Sequence, residues 1–303
     1  MLTKSVQAYL DVRRACGFAL RSQGKLLASF AAFSNEHGLI YLSADAAIEW
    51  AGLAKLPQQR ARRLGEIIRF ARYIHAEDPK HEIPQLAFGK ETRTRPTPYI
   101  LSKEEVGRLI QAASQAGYVT LRRSTYATLF ALLACTGLRI SEAIALRFDD
   151  ISVDGLIISR TKFQKSRIVP LHNTALAGLE RYLKIRRPYA PFDDHVFISI
   201  RRKPLLIGDV EQAFRTAAQK IGLPRGPGLP HVTPHSLRHT FAVRTLESCS
   251  CDRDHVTKQM VALSTYLGHA TVASTYWYLQ ATPDLMQDIA AVSESFVTGG
   301  NQP

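Results

Sequence analysis

"TYATLFALLACTGLRISEAIALRFDDI" (residues 125–151) carries the pattern from which we infer the fold of this chain. A long apolar helical pattern runs up to Gly137, where glycine permits a sharp turn, and a second helical pattern follows. The segment "GLIISRTKFQKSRIVPL" (residues 155–171) then reads as two short strands around a basic, polar loop. "DHVFIS" (residues 194–199) is a candidate for one more strand. We therefore predict a mainly α domain that carries a small hairpin sheet.

The first ninety residues show helical patterns only. One helix is predicted within residues 22–38, where Leu26, Phe30 and Phe33 share a face. The next helix is predicted to begin after Ser43, which is a candidate N-cap.

A further helical segment, residues 57–79, separates apolar from basic side chains. Its apolar stripe consists of Leu64, Ile67, Ile68, Ala71 and Ile74. Arg62, Arg69 and Arg72 fall on the opposite face. Such a face is either a solvated surface or a surface that lies against DNA, with arginines on phosphates or guanine edges.

Residues 88–106, "FGKETRTRPTPYILSKEEV", indicate a domain boundary because they are polar, basic and interrupted by two prolines. Ser102, three residues before Glu105, predicts a capping box at the start of the following helix. We expect a helical domain over residues 1–90, a linker over 91–98 and a second domain over 99–303.

The charge of the chain favours a polyanionic partner. There are 39 Lys and Arg against 26 Asp and Glu, a formal charge of +13. Residues 1–90 hold 13 basic and 8 acidic residues, and both halves are basic. A merely basic surface is the alternative to nucleic acid. No run of about 18 apolar residues is present and the start lacks the apolar core of a secretion signal, so we expect neither membrane insertion nor export.

Cysteine usage argues against a disulfide scaffold or a zinc site. Cys16 and Cys135 stand alone in helical contexts and are predicted to pack as small apolar groups. Cys249 and Cys251, near His255, are closer together than zinc ligands usually are. The sequence also shows no acidic cluster suited to magnesium and no glycine-rich phosphate loop. We expect no metal and no cofactor, and reduced cysteines suit the cytosol.

Four motifs of the second domain contain candidate reactive side chains, although each alone is more often structural. They are Arg139 with Glu142 after Gly137, Lys162 and Lys165 in the hairpin loop, His235 with Arg238 after the Thr233–Pro234 helix start, and His269 with Tyr276 and Tyr278 after Gly268.

Together these side chains suit metal-free phosphoryl transfer. Two arginines supply donors for the phosphate oxygens, and a tyrosine hydroxyl can attack phosphorus. The ordinary pKa of a tyrosine hydroxyl is near 10, so nearby cations must lower this pKa and a histidine must accept the proton. A lysine can protonate the leaving deoxyribose oxygen. The predicted intermediate is a phosphotyrosine ester to DNA.

Three stretches carry a family resemblance. "ACTGLRISEAIALRFDDI" (134–151), "HVTPHSLRHTFA" (231–242) and "LGHATVASTYWYLQ" (267–280) resemble the signature boxes of the tyrosine recombinases of the phage-integrase type, in the family's order and at compatible spacing. The resemblance covers residues 99–290 well, whereas the first part is similar to the family's core-binding domain by position and character only.

On the matching positions, the resemblance implies that Arg139 and Arg238 clamp the scissile phosphate, with Glu142 in support. It implies that Lys162 is the general acid, because its place before the "KSRIVPL" strand fits the family better than that of Lys165. Lys165 is then expected to contact DNA, as are the arginines of residues 57–79.

The resemblance also implies that His235 assists proton transfer and that His269 hydrogen-bonds the phosphate. Tyr278 would be the nucleophile, because it follows His269 by nine residues, the family's spacing. Tyr276 is a near competitor that composition alone does not separate from it.

The implied fold is a helical N-terminal core-binding domain and an α-rich catalytic domain with a small antiparallel sheet, closed on duplex DNA as a C-shaped clamp. The implied assembly is a homo-tetramer on two sites. Leu285, Ile289, Val292 and Phe296 repeat at helical spacing, and this helix docks either on its own domain or, as the family favours, on a neighbouring protomer.

Two rival functions differ in kind. A type IB topoisomerase would relax supercoils with the same tyrosine chemistry, and a non-catalytic regulator would only coat phosphates. The segment "YWYLQATPDLM" is shared with integrases of mobile elements and indicates a transposon or phage origin. The expected location is the bacterial cytoplasm, in association with the nucleoid.

Overall fold

The computed structural model describes residues 2–89, 97–159, 166–190, 192–226, 232–248, 253–269, 271, 273–276 and 278. The chain divides into two compact units, Met1–Arg95 and Pro96–Pro303. The domain bounds expected from the sequence stay a prediction.

The first unit is a bundle of helices in the part that the structure describes, as predicted. Its helices are α1 (Leu2–Ala15), α2 (Arg21–Glu36), α3 (Ala44–Gly52) and α4 (Pro57–Glu77). Aromatic side chains join the helices at the centre of one apolar core: Phe30 meets Trp50 edge-to-face at 5.6 Å, and Tyr9 meets Phe70 at 5.5 Å.

Two local predictions for this unit need correction. Leu26 and Phe33 of α2 are only partly buried, and Leu27 and Phe30 hold the centre of its packed face. Ser43 occupies the N-cap position of α3, but its side chain makes no cap hydrogen bond. The carboxylate of Glu82 caps this helix instead, since it accepts a hydrogen bond of 2.7 Å from the backbone N–H of Ala44. A cap from a distant residue leaves no local signal.

Helix α4 confirms the predicted separation of its two faces. All five residues of the apolar stripe are buried. Arg62, Arg69 and Arg72 are exposed, and Arg69 pairs with Glu66 at 2.7 Å. The sequence alternation therefore gives one packed face and one cationic face.

The second unit is mainly helical. Its helices are α5 (Lys103–Ser114), α6 (Thr120–Thr136), α7 (Ile140–Ile144), α8 (Asn173–Arg186), α9 (Ile207–Lys220), α10 (Pro234–Glu247), α11 (Arg253–Leu267) and α12 (Ala273–Tyr276), with 3-10 turns at Phe148–Asp150 and Arg187–Tyr189. The predicted capping box of α5 is confirmed: Ser102 Oγ accepts from the N–H of Glu105, whose carboxylate accepts from the N–H of Ser102. Helix α6 lies in the core, where Phe130 meets Phe214 edge-to-face at 5.4 Å.

A three-stranded antiparallel sheet lies between α7 and α8. Its strands are β1 (Ile151–Ser152), β2 (Gly155–Ile158) and β3 (Arg167–Val169), in the order β1-β2-β3. Ile157 pairs with Ile168, which confirms the predicted hairpin. Strand β1 was not anticipated, because two residues carry no alternation. Residues 160–165 lie outside the described residues.

The prediction of a strand at "DHVFIS" is wrong. These residues form only isolated bridges, Arg147 with His195 and Ile198 with Pro204. Val196, Phe197 and Ile198 are nonetheless at most 1% exposed. The apolar run therefore reflects burial in the core rather than strand pairing, which periodicity alone does not distinguish in short segments.

The cysteine prediction is also wrong, because Cys16 and Cys135 are both exposed. Each lies near a helix end rather than on a packed face. Cys249 and Cys251 lie outside the described residues, as does the side chain of His255. Among the helices that the structure describes, none has the length and apolar character needed to cross a membrane.

Candidate active site

The turn between α6 and α7 presents Arg139. Gly137 ends α6 in the left-handed conformation, with φ at 60°, and Arg139 precedes α7. Its NH1 lies 2.7 Å from Oε1 of Glu142, and its backbone N–H donates to Oε2 of the same carboxylate at 3.0 Å. The predicted pair is thus present, and Glu142 fixes both the backbone and the guanidinium of Arg139.

The start of α10 places Arg238 inside the domain. Pro234 occupies the first turn, and the N–H of Thr233 donates to Oγ of Ser236. Arg238 is 2% exposed and is therefore not a solvated surface residue. Burial, followed by the charge of Arg139, lowers the pKa of Arg238 to about 10, which still leaves the guanidinium charged at neutral pH.

Both guanidiniums hold the turn that follows α11. Arg238 donates from NH1 to the carbonyl of Gly137 at 2.6 Å and from NH2 to the carbonyl of Leu267 at 2.7 Å. Arg139 donates from NH2 to the carbonyl of Gly268 at 2.9 Å. The arginines of two distant motifs therefore converge on the backbone just before His269.

Three histidines line the same site. The rings of His235 and His239 meet edge-to-face with centroids 4.4 Å apart, and Nδ1 of His269 lies 2.7 Å from Oγ1 of Thr275. Burial first, and then the charge of neighbouring groups that include Arg238, lowers the pKa of His235 to about 4, of His239 to about 3 and of His269 to about 4. At neutral pH all three rings are therefore uncharged.

Tyr278 lies among these groups. Its side chain is 2% exposed, and its ring centroid is 6.0 Å from that of His269 and 5.5 Å from that of His239. A hydrogen bond joins it to Arg238. The structure thus brings together five of the six predicted catalytic residues: Arg139, His235, Arg238, His269 and Tyr278.

Other predicted site residues are not described. Lys162 and Lys165 lie outside the described residues, and so does the side chain of Tyr276. Arg62, Arg69 and Arg72 belong to the first unit.

Sequence reasoning missed three residues of the site. They are Arg167 on β3, which binds Glu142; His239, which packs on Tyr278; and Thr275, which holds His269. The sequence marks these residues only weakly, because Arg167 lies at the start of a strand in a basic segment and His239 follows Arg238 directly. Thr275 is wholly buried, although it stands among polar residues.

One group of three metal-type ligands occurs in the part of the chain that the structure describes: Asp193, Asp194 and His195. Asp193 accepts a hydrogen bond from buried Arg186, and Asp194 pairs with Arg147. Arginines therefore already neutralise both carboxylates.

Comparison with known proteins agrees with this geometry. The model of the phage integrase family matches residues 100–284. A relative from Sinorhizobium fredii (strain NBRC 101917 / NGR234), y4rB, whose name describes it as an integrase/recombinase, is 37% identical over 94% of each chain. Tyrosine recombinase XerD of Listeria monocytogenes is 28% identical over 78% of this chain and 75% of its own length.

Solved structures share the fold. XerH recombinase, in a post-cleavage complex with a palindromic difH substrate, matches with a TM-score of 0.66 at 19% identity over 91% of this chain and 80% of its own. The Tn1549 transposon integrase in complex with transposon right end DNA matches with a TM-score of 0.64 at 20% identity over 94% and 97%. With the arginine, histidine and tyrosine motifs gathered in one site, the chain belongs to the phage integrase family and is a tyrosine recombinase.

Proposed function

We propose that this recombinase cuts and rejoins duplex DNA at specific sites through a 3′-phosphotyrosine intermediate formed on Tyr278. The observation that carries the proposal is the placement of Tyr278, which is buried between two neutral histidines and hydrogen-bonded to Arg238. A phenol held beside guanidiniums is held beside the groups that bind a phosphodiester.

The reaction exchanges one phosphate ester for another. The oxygen of Tyr278 attacks phosphorus, the bond from phosphorus to the 5′ oxygen breaks, and the 3′ phosphate stays on the tyrosine. His235 accepts the phenolic proton, and Lys162 donates a proton to the leaving 5′ oxygen. A 5′ hydroxyl of another strand reverses these steps, and the ester retains the energy needed for rejoining.

Electrostatics favours the transition state over the bound phosphate. Arg238 remains charged at pH 7, whereas the three histidines are neutral. Attack by a deprotonated phenol adds negative charge to the phosphate, and fixed guanidinium donors stabilise charge that develops there. His269 donates a further hydrogen bond to the phosphate from the ring nitrogen that Thr275 does not hold.

The first unit, with a boundary near residue 90, is proposed as the core-binding domain that contacts DNA through Arg62, Arg69 and Arg72. Lys165 is proposed as a DNA contact of the second unit. We expect four protomers in the active complex, as in the structure of a lambda integrase tetramer bound to a Holliday junction, which is 18% identical. The C-terminal residues predicted to dock between protomers lie outside the described residues. A mobile-element origin and a nucleoid-associated cytoplasmic location complete the proposal.

Covalent trapping tests the function. The protein is expressed in bacteria, the cells are denatured in detergent, and DNA that stays attached to the protein is sequenced. A labelled duplex with the recovered site is then mixed with wild-type protein, with Tyr278→Phe and with Tyr276→Phe. We expect a detergent-stable adduct with wild type and with Tyr276→Phe but none with Tyr278→Phe, because phenylalanine lacks the attacking oxygen.

The products separate the proposal from its rivals. Exchange of flanks between two differently labelled duplexes supports recombination, whereas relaxed circles without exchange indicate a topoisomerase. Specific DNA binding without any adduct would make the protein a regulator and would overturn the proposal.

A further inference from the structure

We infer that Arg167 is a positioning residue that balances the charge of Glu142, so that Glu142 orients Arg139 without cancelling the positive charge that Arg139 offers to the phosphate. The inference rests on the proposed function and adds a residue to its machinery. It is carried by the contacts of Arg167 on strand β3.

Glu142 is shared between two guanidiniums. Arg139 binds Oε1 through NH1 at 2.7 Å, and Arg167 binds Oε2 through NH2 at 2.8 Å and Oε1 through NH1 at 3.2 Å. The side chains of Glu142 and Arg167 are 9% and 11% exposed, whereas that of Arg139 is 35% exposed. The inner pair is therefore shielded from water, and the outer guanidinium remains open to a ligand.

The charge balance explains why two arginines are needed. A carboxylate bonded to Arg139 alone would form a neutral pair and would weaken the attraction of Arg139 for a phosphate. With Arg167 added, the Arg139–Glu142–Arg167 triad keeps one net positive charge. Arg238 adds a second, which suits a transition state that gains negative charge at phosphorus.

Arg167 also keeps the buried carboxylate ionised. Burial by itself raises the pKa of Glu142, but hydrogen bonds from Arg167 and from Arg139 outweigh burial, and the pKa lies below its ordinary value. An unpaired carboxylate at this depth would destabilise the folded domain or would take up a proton.

The position of Arg167 is fixed from two further sides. Its Nε donates to the carbonyl of Tyr266 at 2.7 Å, which ties β3 to the end of α11. A Cβ on Gly268 would lie 2.8 Å from NH1 of Arg167, so a side chain at this position would require the guanidinium to shift. The turn that carries His269 thus packs directly on the charge that balances Glu142.

A purely structural role is the alternative, in which Arg167 only fastens β3 to α11. The two roles differ in the effect of removing Glu142 as well. If charge balance matters, then a variant without Arg167 leaves Glu142 to neutralise Arg139, and removal of that carboxylate restores the charge. If Arg167 only fastens β3 to α11, then removing the Glu142 carboxylate as well does not restore activity.

Single-turnover formation of the covalent adduct on the trapped DNA site measures this difference in the full-length protein. We expect Arg167→Gln to slow adduct formation by about 100-fold, the order of effect of losing one oxyanion donor. The double variant Arg167→Gln/Glu142→Gln should recover about 10-fold of that loss, since it regains one unit of positive charge. Arg147→Gln, which removes an exposed arginine paired with Asp194, is the matched control and should react as wild type does.

A double variant that is as slow as Arg167→Gln, or slower, would overturn the charge role. If Arg167→Gln does not fold at the assay temperature, Arg167→Lys provides the test, because lysine keeps the charge but loses the fork. We expect Arg167→Lys to stay within about 10-fold of wild type. A folded Arg167→Lys with a loss of about 100-fold would contradict the inference. If wild type itself forms no adduct, the proposed function fails instead, so the two failures are distinguishable.

Discussion

Arg238 is buried and is hydrogen-bonded to the backbone at two carbonyl groups. Both terminal nitrogens bind carbonyls, and the side chain is 2% exposed. We predict that Arg238→Ala lowers the rate of adduct formation by about 10²–10³-fold, because a preorganised donor to the phosphate is lost. Single-turnover cleavage measures the rate, and thermal melting identifies any loss of folding. A folded variant with the wild-type rate would show that Arg238 is not part of the active site.

The three neutral histidines make stability depend on pH. Their pKa values of about 3 to 4 in the folded state lie below the ordinary value near 6.5, so the unfolded chain binds more protons between these limits. The contribution of these three histidines to the free energy of unfolding is therefore complete above pH 6.5 and is lost as the pH falls toward 4. We predict a lower urea midpoint at pH 5 than at pH 7, with a smaller difference in His235→Gln/His239→Gln. Equal midpoints at the two pH values would contradict the buried neutral state.

The turn between α6 and α7 depends on a single glycine. Gly137 has φ at +60°, and a Cβ there would lie 2.5 Å from Cδ1 of Phe241. We predict that Gly137→Ala lowers the free energy of unfolding by about 2 kcal/mol or more, since backbone strain and overpacking add. Urea unfolding checks this prediction.

Gly107→Ala is the control for that turn. Gly107 lies in the middle of helix α5, is exposed, and has nothing within 4 Å of an added Cβ. Alanine at this site should stabilise the protein by about 0.5–1 kcal/mol, as in other helix interiors. A Gly137→Ala variant as stable as Gly107→Ala would show that the turn tolerates a side chain.

At the level of helices and strands, sequence patterns predict local structure. They do not predict contacts between residues that are far apart in the chain. The capping box of α5, the helix break at Gly137 and the hairpin follow from neighbouring residues, and the structure contains all three. Arg167 binds Glu142 across 25 positions, and Arg238 binds Gly137 across 101. No periodicity records such pairs, so the sequence predicted candidate reactive side chains but not the network of contacts that holds them.

Over the whole molecule, the excess of positive charge predicts binding that depends on salt. Arg62, Arg69 and Arg72 form an exposed face of the first unit. We predict that replacing all three with glutamine weakens DNA binding and reduces the slope of log affinity against log salt by about 2–3, since each phosphate contact contributes about 0.9. The measurement is a titration of the trapped site at several salt concentrations.

The matched control removes the same charge from exposed residues of α8 and α9: Arg181, Lys184 and Arg215. This variant should lose less of the salt dependence, because α4 is proposed as the DNA-contacting face. Equal losses in the two variants would mean that net charge, and not the surface of α4, determines the affinity.

In the proposed reaction, the oxygen of Tyr278 becomes the ester oxygen of a DNA phosphate. Mass spectrometry of the trapped adduct, after nuclease and protease digestion, tests it most directly because it identifies the residue that carries the nucleotide. The predicted result is a nucleotide-linked peptide with the modification on Tyr278. A nucleotide on Tyr276, or on any other residue, would contradict the account.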